Sequence, residues 1–172
     1  MKNNYSKNIF GITGKSGTGK TYLISRLIPE IKKNGLIVST VKHAHHGFEI
    51  DNQKKDSYKH RQSGAHEVLI FSSKGWALIQ DMQNQQDSNL VNYIDKMSDV
   101  DLIIAEGFKS YNFKRIEIVD SSNNLELAEK EKKIVGLVSK TNISHPRLPV
   151  FHRDDISRIA KFILHTCDID VN

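Results

Sequence analysis

An α/β fold built on a mostly parallel sheet is predicted for this 172-residue chain by three observations. First, apolar runs rich in β-branched residues alternate with stretches of helical periodicity, the pattern of strands joined by crossover helices. Second, the run Ile9-Phe10-Gly11-Ile12-Thr13 feeds a glycine-rich segment that opens directly into a helical stripe. Third, two short apolar runs, Val68 to Phe71 and Trp76 to Ile79, are separated only by Ser72-Ser73-Lys74-Gly75. That spacing adds an antiparallel hairpin to the parallel framework. Hydrophobic residues make up 38% of the chain and charged residues 26%, a composition that suits a full core. One domain is expected over residues 1–172, with its core from about 9 to 165.

The glycine-rich segment is Gly14-Lys15-Ser16-Gly17-Thr18-Gly19-Lys20-Thr21, which satisfies G-x-x-x-x-G-K-[ST] at every fixed position. A buried strand before it and a helix after it are the context in which such a loop binds phosphate. Its backbone N–H groups converge on the anion, and the new helix adds its positive N-terminal end. Lys20 would reach the β- and γ-phosphates, and the Thr21 hydroxyl would hold Mg²⁺. The fold is therefore P-loop NTPase-like, a mostly parallel β-sheet flanked by helices with the hairpin as an addition. Lys15 has two readings. It resembles the extra lysine of deviant Walker A loops, which reaches a nucleotide across a dimer interface, and it also fills a position that many such loops leave unconstrained.

The remaining elements follow from periodicity. Leu23, Ile24, Leu27, Ile28 and Ile31 mark the buried stripe of a helix over 22–33, with a kink or early end expected at Pro29 and a C-cap at Gly35. Leu36 to Val41 reads as the second strand, and Lys55 to Gly64 as a short polar helix. Leu90 to Met97 is amphipathic. Val100 to Ala105 is a buried strand, and Arg115 to Val119, Ile134 to Val138 and Val150-Phe151 are further strands. Asn123 to Lys133 is charged and reads as a solvated loop or helix. Asp154 or Asp155 caps a last helix that buries Ile156, Ile159, Ala160, Ile163 and Leu164.

The net charge is +5 and the pI about 9.2, a balance that suits anionic ligands. No apolar run is long enough to span a membrane, and the polar first eight residues lack the apolar core of a signal peptide. The lone Cys167 excludes an internal disulfide and a cysteine metal cage, so a cytoplasmic protein is expected. Aromatic residues make up only 8% and do not interleave with basic ones, which argues against stacking on single-stranded nucleic acid.

Ligands of open α/β sheets bind at the carboxyl ends of the strands. The glycine loop, the loop after Val41 and Glu106 all follow strands and should share that edge. An acidic residue at a strand end is what a P-loop needs to organise Mg²⁺, and Glu106 is the candidate; its alternative is a surface carboxylate before a turn. Asp101 begins the same strand and reads as a capping residue. Five of the eight histidines lie between His43 and His66, interleaved with Lys42, Lys54, Lys55, Lys59 and Arg61. His43, His45 and His46 have three readings: a zinc site, contact with a second phosphorylated ligand, or a solvated basic loop. Adjacent histidines rarely converge on one metal, which favours the anion. Asp51 could approach Mg²⁺ from this switch-like loop. Lys55, Lys59 and Gln62 lie near one helical face, with Arg61 to the side.

Four blocks together resemble the MobB family, the molybdopterin-guanine dinucleotide biosynthesis adaptors. They are the glycine loop, Val41-Lys42-His43-Ala44-His45-His46-Gly47-Phe48-Glu49-Ile50-Asp51, the segment Lys55 to Ala65, and Asp101-Leu102-Ile103-Ile104-Ala105-Glu106-Gly107-Phe108-Lys109. The resemblance runs from about Ile9 to the C-terminal helix. It implies a GTP-binding homodimer with at most weak GTPase activity that assists MobA, the enzyme joining a guanylate to molybdopterin. It further implies contact with molybdopterin or its guanine dinucleotide form, and with molybdoenzyme apoproteins or insertion factors. By this likeness Gly14 to Thr21 hold the phosphates, and Thr21, Asp51 and Glu106 attend Mg²⁺. Lys42, His43, His45, His46, Lys55, Asp56, Ser57, His60 and Arg61 line the mouth, with Lys109 facing it. Lys54 departs from the glycine common at its place. Ser139-Lys140-Thr141-Asn142 stands where many GTPases carry an Asp for guanine, and Asn142 matches the guanine N–H groups poorly, so the residues alone leave ATP open.

Two rival functions remain. A small-molecule kinase could use the P-loop with the basic His/Lys loop as acceptor site, with Lys109 to Arg115 as a weak candidate lid. A basic nucleic-acid-binding protein would bind with steep salt dependence. No arginine finger or water-positioning glutamine is identifiable, so fast hydrolysis is not expected.

Overall fold

The computed structural model describes residues 7–44, 50–81, 89–120 and 125–170. In chain order the elements are β1 (Ile9–Gly14), α1 (Lys20–Lys32), β2 (Val38–Lys42), α2 (Asp56–Gln62), β3 (Glu67–Ser72), β4 (Gly75–Gln80), α3 (Leu90–Ile94), β5 (Leu102–Glu106), β6 (Arg115–Val119), α4 (Glu126–Lys130), β7 (Ile134–Ser139), β8 (Val150–His152) and α5 (Ile156–Thr166). They fall into two compact units. One comprises the chain up to His43 and from Asp95 onward; the other is Ala44–Ile94.

The first unit is a six-stranded sheet in the order β2-β5-β1-β6-β7-β8, with every neighbouring pair parallel. Alternation along each strand divides its side chains between two faces. Phe10, Ile12, Leu102, Ile104, Ile116 and Ile118 pack with Leu23, Leu27 and Ile31 of α1 and Ile159, Ala160, Ile163 and Leu164 of α5. On the other face Val119, Ile134 and Leu137 are covered by Ala128 of α4. Asp155 caps α5 by accepting from the Arg158 N–H at 3.4 Å. No described helix is long and apolar enough to cross a membrane.

The second unit holds α2, α3 and the two-stranded antiparallel sheet β3-β4. Register pairs Phe71 with Trp76 and Leu69 with Leu78 on one side, and Val68 with Ile79 and Ile70 with Ala77 on the other. Val68 and Ile79 are buried, whereas Phe71 and Trp76 are 78% and 70% exposed.

Boundaries differ from expectation where a specific contact decides them. Helix α1 does not end at Pro29 but continues to Lys32. Pro29 is exposed, and the buried Leu27 and Ile31 on either side hold the helix to the sheet. Strand β2 begins at Val38 because Ile37 is occupied otherwise: its N–H donates to Asp101 Oδ2 at 2.6 Å, and its carbonyl accepts the Asp101 N–H. Asp101 therefore caps the entry to β5. Helix α3 stops at Ile94, short of Met97.

Gly11 in β1 lies beneath two large side chains. A Cβ there would stand 2.8 Å from both Arg115 Cβ and the Phe113 ring. Gly11→Ala is expected to lower unfolding free energy by about 1–3 kcal/mol through overpacking, read as a shifted urea midpoint; an unchanged midpoint would contradict this packing.

Candidate nucleotide-binding site

The glycine loop joins β1 to α1 through left-handed backbone. Gly14, Gly17 and Gly19 have φ of 146°, 79° and 96°. A Cβ on Gly14 would also stand 2.6 Å from the Ile118 carbonyl oxygen. Thr18 is buried and donates its hydroxyl to the Lys15 carbonyl at 2.9 Å, pinning the turn. Lys20 Nζ folds back along the loop and donates to the Gly14 and Lys15 carbonyls at 3.0 and 2.7 Å. Gly19 is the N-cap of α1 and supplies no side-chain cap, so the first N–H groups of that helix are left for a ligand oxygen. Lys15, Ser16 and Gly17 are exposed, as is Thr21 in the first helical turn.

Glu106 ends β5, in register with Ile12 of β1 on one side and Lys42 of β2 on the other. Its Oε1 lies 3.7 Å from Lys42 Nζ, and its carbonyl accepts the His43 N–H at 3.0 Å. Because the three strands are parallel, the glycine loop, Lys42-His43 and Glu106 all leave the same sheet edge. Immediately after Glu106 the chain reverses through two left-handed residues, Gly107 (φ 94°) and Phe108 (φ 50°). A non-glycine there is strained and persists only when its surroundings hold it. Arg115 does so. It is 2% exposed, its Nη1 donates to the Phe108 and Lys109 carbonyls at 3.1 and 2.6 Å, and its Nη2 donates to the Tyr111 carbonyl. The His43 ring packs on Phe108 at 5.2 Å. Lys109 is exposed.

Thr21 and Glu106 offer one hydroxyl and one carboxylate. That donor set fits Mg²⁺, which takes one or two protein oxygens together with phosphates and water. No group of three His, Cys, Asp or Glu that could hold a metal exists among the described residues.

The other expected site residues belong to the second unit. Asp51 is 6% exposed; its Oδ1 accepts the Asn52 N–H, and its Oδ2 is buried with no partner among the described residues. Lys55 is the N-cap of α2, and Asp56 pairs with Lys59 at 3.1 Å. Ser57 is half-buried and His60 exposed. Arg61 is engaged by Asp81 (Nη2 to Oδ1 2.6 Å, Nε to Oδ2 3.3 Å), which raises its pKa. His45 and His46 lie outside the described residues.

The family described as molybdopterin guanine dinucleotide synthesis protein B, MobB, matches residues 9–140. The chain belongs to the MobB family. A molybdopterin-guanine dinucleotide biosynthesis adapter protein of Haemophilus influenzae is 28% identical over 158 residues, 90% of this chain and 86% of that protein. The crystal structure of a molybdopterin-guanine biosynthesis protein B superposes with a TM-score of 0.75 at 33% identity, over 91% of this chain and 98% of that one. A Bacillus subtilis MobB structure at 24% identity shares the fold, with a TM-score of 0.74 over 92% and 97% of the two chains. These likenesses favour the MobB family over a small-molecule kinase.

Sequence periodicity placed Arg115 only at the start of a strand and at the end of a candidate lid, and its buried position behind the turn after β5 was not expected; a charge opening a buried strand was the available signal. Glu117, two residues on, was another. It is 5% exposed, and one of its carboxylate oxygens has no partner among the described residues. The same holds for the hydroxyl of Thr13, its register partner in β1. Burial pushes the Glu117 pKa from 4.5 up to about 7, against the opposing pull of the Ala128 N–H and the charges of Lys109 and Lys15. The folded value lies above the unfolded one, so Glu117 favours folding fully below pH 4.5 and that contribution is lost as pH rises through 7. Relative to Glu117→Gln, the wild type should lose roughly 2–3 kcal/mol of stability across that window. Parallel pH dependences of the two urea midpoints would contradict the assignment.

Proposed function

We propose that this chain is a GTP-binding adaptor in the biosynthesis of the molybdenum cofactor in its molybdopterin guanine dinucleotide form, acting beside a MobA-like guanylyltransferase in the cytoplasm. The observation that carries the reading is the glycine loop with its Lys20 and Thr21, set at the same sheet edge as Glu106, in a chain of this family. The loop N–H groups bind the β-phosphate, and Lys20 exchanges its two carbonyl partners for β- and γ-phosphate oxygens. Thr21 and Glu106 hold Mg²⁺, which neutralises the phosphates. Lys42, His43 and Lys109 supply donors for a second anionic ligand, a molybdopterin. No arginine finger or water-positioning glutamine is identifiable among the described residues, so hydrolysis is slow in this reading and positioning is the main task.

A homodimer belongs to this reading. The outer face of the β3-β4 hairpin carries Leu69, Phe71, Trp76 and Leu78, all exposed. A two-stranded hairpin is marginal alone, and an exposed apolar face of this kind suits an isologous contact, so a second copy is the natural cover.

Calorimetry with Mg²⁺ should give GTP binding that exceeds ATP binding and strengthens when the guanylyltransferase is added. Lys20→Ala should lose nucleotide binding at least 10-fold while keeping its circular dichroism spectrum. ATP preference, or wild-type affinity in that variant, would overturn the reading. Light scattering should find a dimer in the wild type and a monomer after Phe71→Lys with Trp76→Lys; a dimer that survives both changes would remove the hairpin from the interface.

A further inference from the structure

Beside the glycine loop lies a cation that neither the motif nor the family likeness assigns. Arg153 directly follows β8 and is tied to β7 by its N–H, which donates to the Ser139 carbonyl at 2.8 Å. Its side chain crosses to the start of α1. There the guanidinium lies over the Tyr22 ring, 4.5 Å from its centroid, and Nη1 stands 3.2 Å from where a Cβ of Gly19 would be. Tyr22 is itself held: its hydroxyl donates to Asp154 Oδ1 at 3.0 Å, and Arg26 also donates to that carboxylate at 3.0 Å. Asp154 thus has two partners of its own, while Arg153 rests against an aromatic face and a bare glycine. Its Nε is buried and has no hydrogen-bond partner among the described residues. A buried donor left unpaired costs about 1–3 kcal/mol, so the guanidinium is held here by the Tyr22 ring at a cost, and because the side chain as a whole is only half-buried its outer nitrogens remain open to an oxygen from outside the chain.

The position around the loop indicates which oxygen. Lys20 Nζ lies against Gly14 and Lys15, the side on which it reaches the β- and γ-phosphates. Arg153 lies against Gly19 and Tyr22, the opposite lip, where the loop has become helix. We infer that Arg153 is a nucleotide-binding residue that holds the nucleoside-proximal α-phosphate, clamping from β8 the ligand that the glycine loop grips from β1. This rests on the nucleotide-binding reading above. It gives the first unit a second cation for the nucleotide, supplied from the far edge of the sheet and preset by the Tyr22 ring.

The test is calorimetry of GTP and of Mg²⁺-pyrophosphate with the full chain, its Arg153→Gln variant and its Lys20→Ala variant. Gln keeps part of the aliphatic stem and removes the charged guanidinium that lies over Tyr22. A charge-assisted hydrogen bond of about 1.5–3 kcal/mol corresponds to a loss of roughly 10- to 100-fold in GTP affinity, with pyrophosphate affinity held within about 2-fold. Arg153→Lys, which keeps the charge without the fork, should fall between. Lys20→Ala should weaken both ligands. If Arg153→Gln binds GTP as the wild type does while Lys20→Ala does not, the Arg153 assignment is overturned and the nucleotide-binding reading stands. If pyrophosphate weakens as much as GTP, Arg153 does not act at the α-phosphate. If the wild type binds neither ligand, both inferences fall together.

Discussion

The parallel register of β2, β5 and β1 is the constraint on which the rest of the first unit depends. Ile12 lies level with Glu106, and Glu106 level with Lys42, so three separate loops leave the sheet at one edge. Core packing enforces that register. Phe10, Ile12, Leu102 and Ile104 are fully buried against α1 and α5, and a slip by one residue would turn each of them to the opposite face. Hydrogen bonds across the strand ends extend the alignment past the sheet: the Gly107 N–H donates to the Ile12 carbonyl, and the His43 N–H to the Glu106 carbonyl. The glycine loop therefore receives its acidic neighbour from backbone geometry, and the side chains need only be of the right type.

Arg115 extends that order into the loop beyond β5. A buried guanidinium is costly unless its donors are used, and here they go to main-chain carbonyls of residues 108, 109, 111 and 113. One side chain thereby organises a whole reversal that has no secondary structure of its own and includes a strained Phe108. Glu117 and Thr13, register partners on one sheet face, carry polar atoms with no partner among the described residues. The region behind the glycine loop is thus more polar than a core that serves stability alone.

The elements that periodicity and motif spacing made legible were those with local causes. The glycine loop needs left-handed backbone at Gly17 and Gly19, and the glycines announced it. The stripe on α1, the hairpin with its Gly75 turn and the Asp155 cap are likewise written in neighbouring residues. What stayed hidden depended on chain-distant partners. Arg115 and Gly11 meet across neighbouring strands, the capping role of Asp101 was legible but its partner Ile37 was not, and Arg153 reaches Tyr22 from more than a hundred residues away. Of the kink or early end expected at Pro29, the early end does not occur, since its exposed position leaves α1 free to continue to Lys32. Of the expected mouth, Lys42, His43 and Lys109 lie in the unit that carries the loop, while Asp51, Lys55, Asp56, Ser57, His60 and Arg61 lie in the other. Membership of a compact unit is set by long-range contacts that no spacing along the chain encodes.

In the proposed function the Gly14 to Thr21 backbone is an anion cradle that receives nucleotide phosphates. A ¹H–¹⁵N correlation spectrum titrated with GTP and Mg²⁺ tests it at the atoms concerned. The amides of Gly17, Thr18, Gly19, Lys20 and Thr21 should shift most and saturate together. Saturable shifts confined to other segments, with these five amides unmoved, would contradict it.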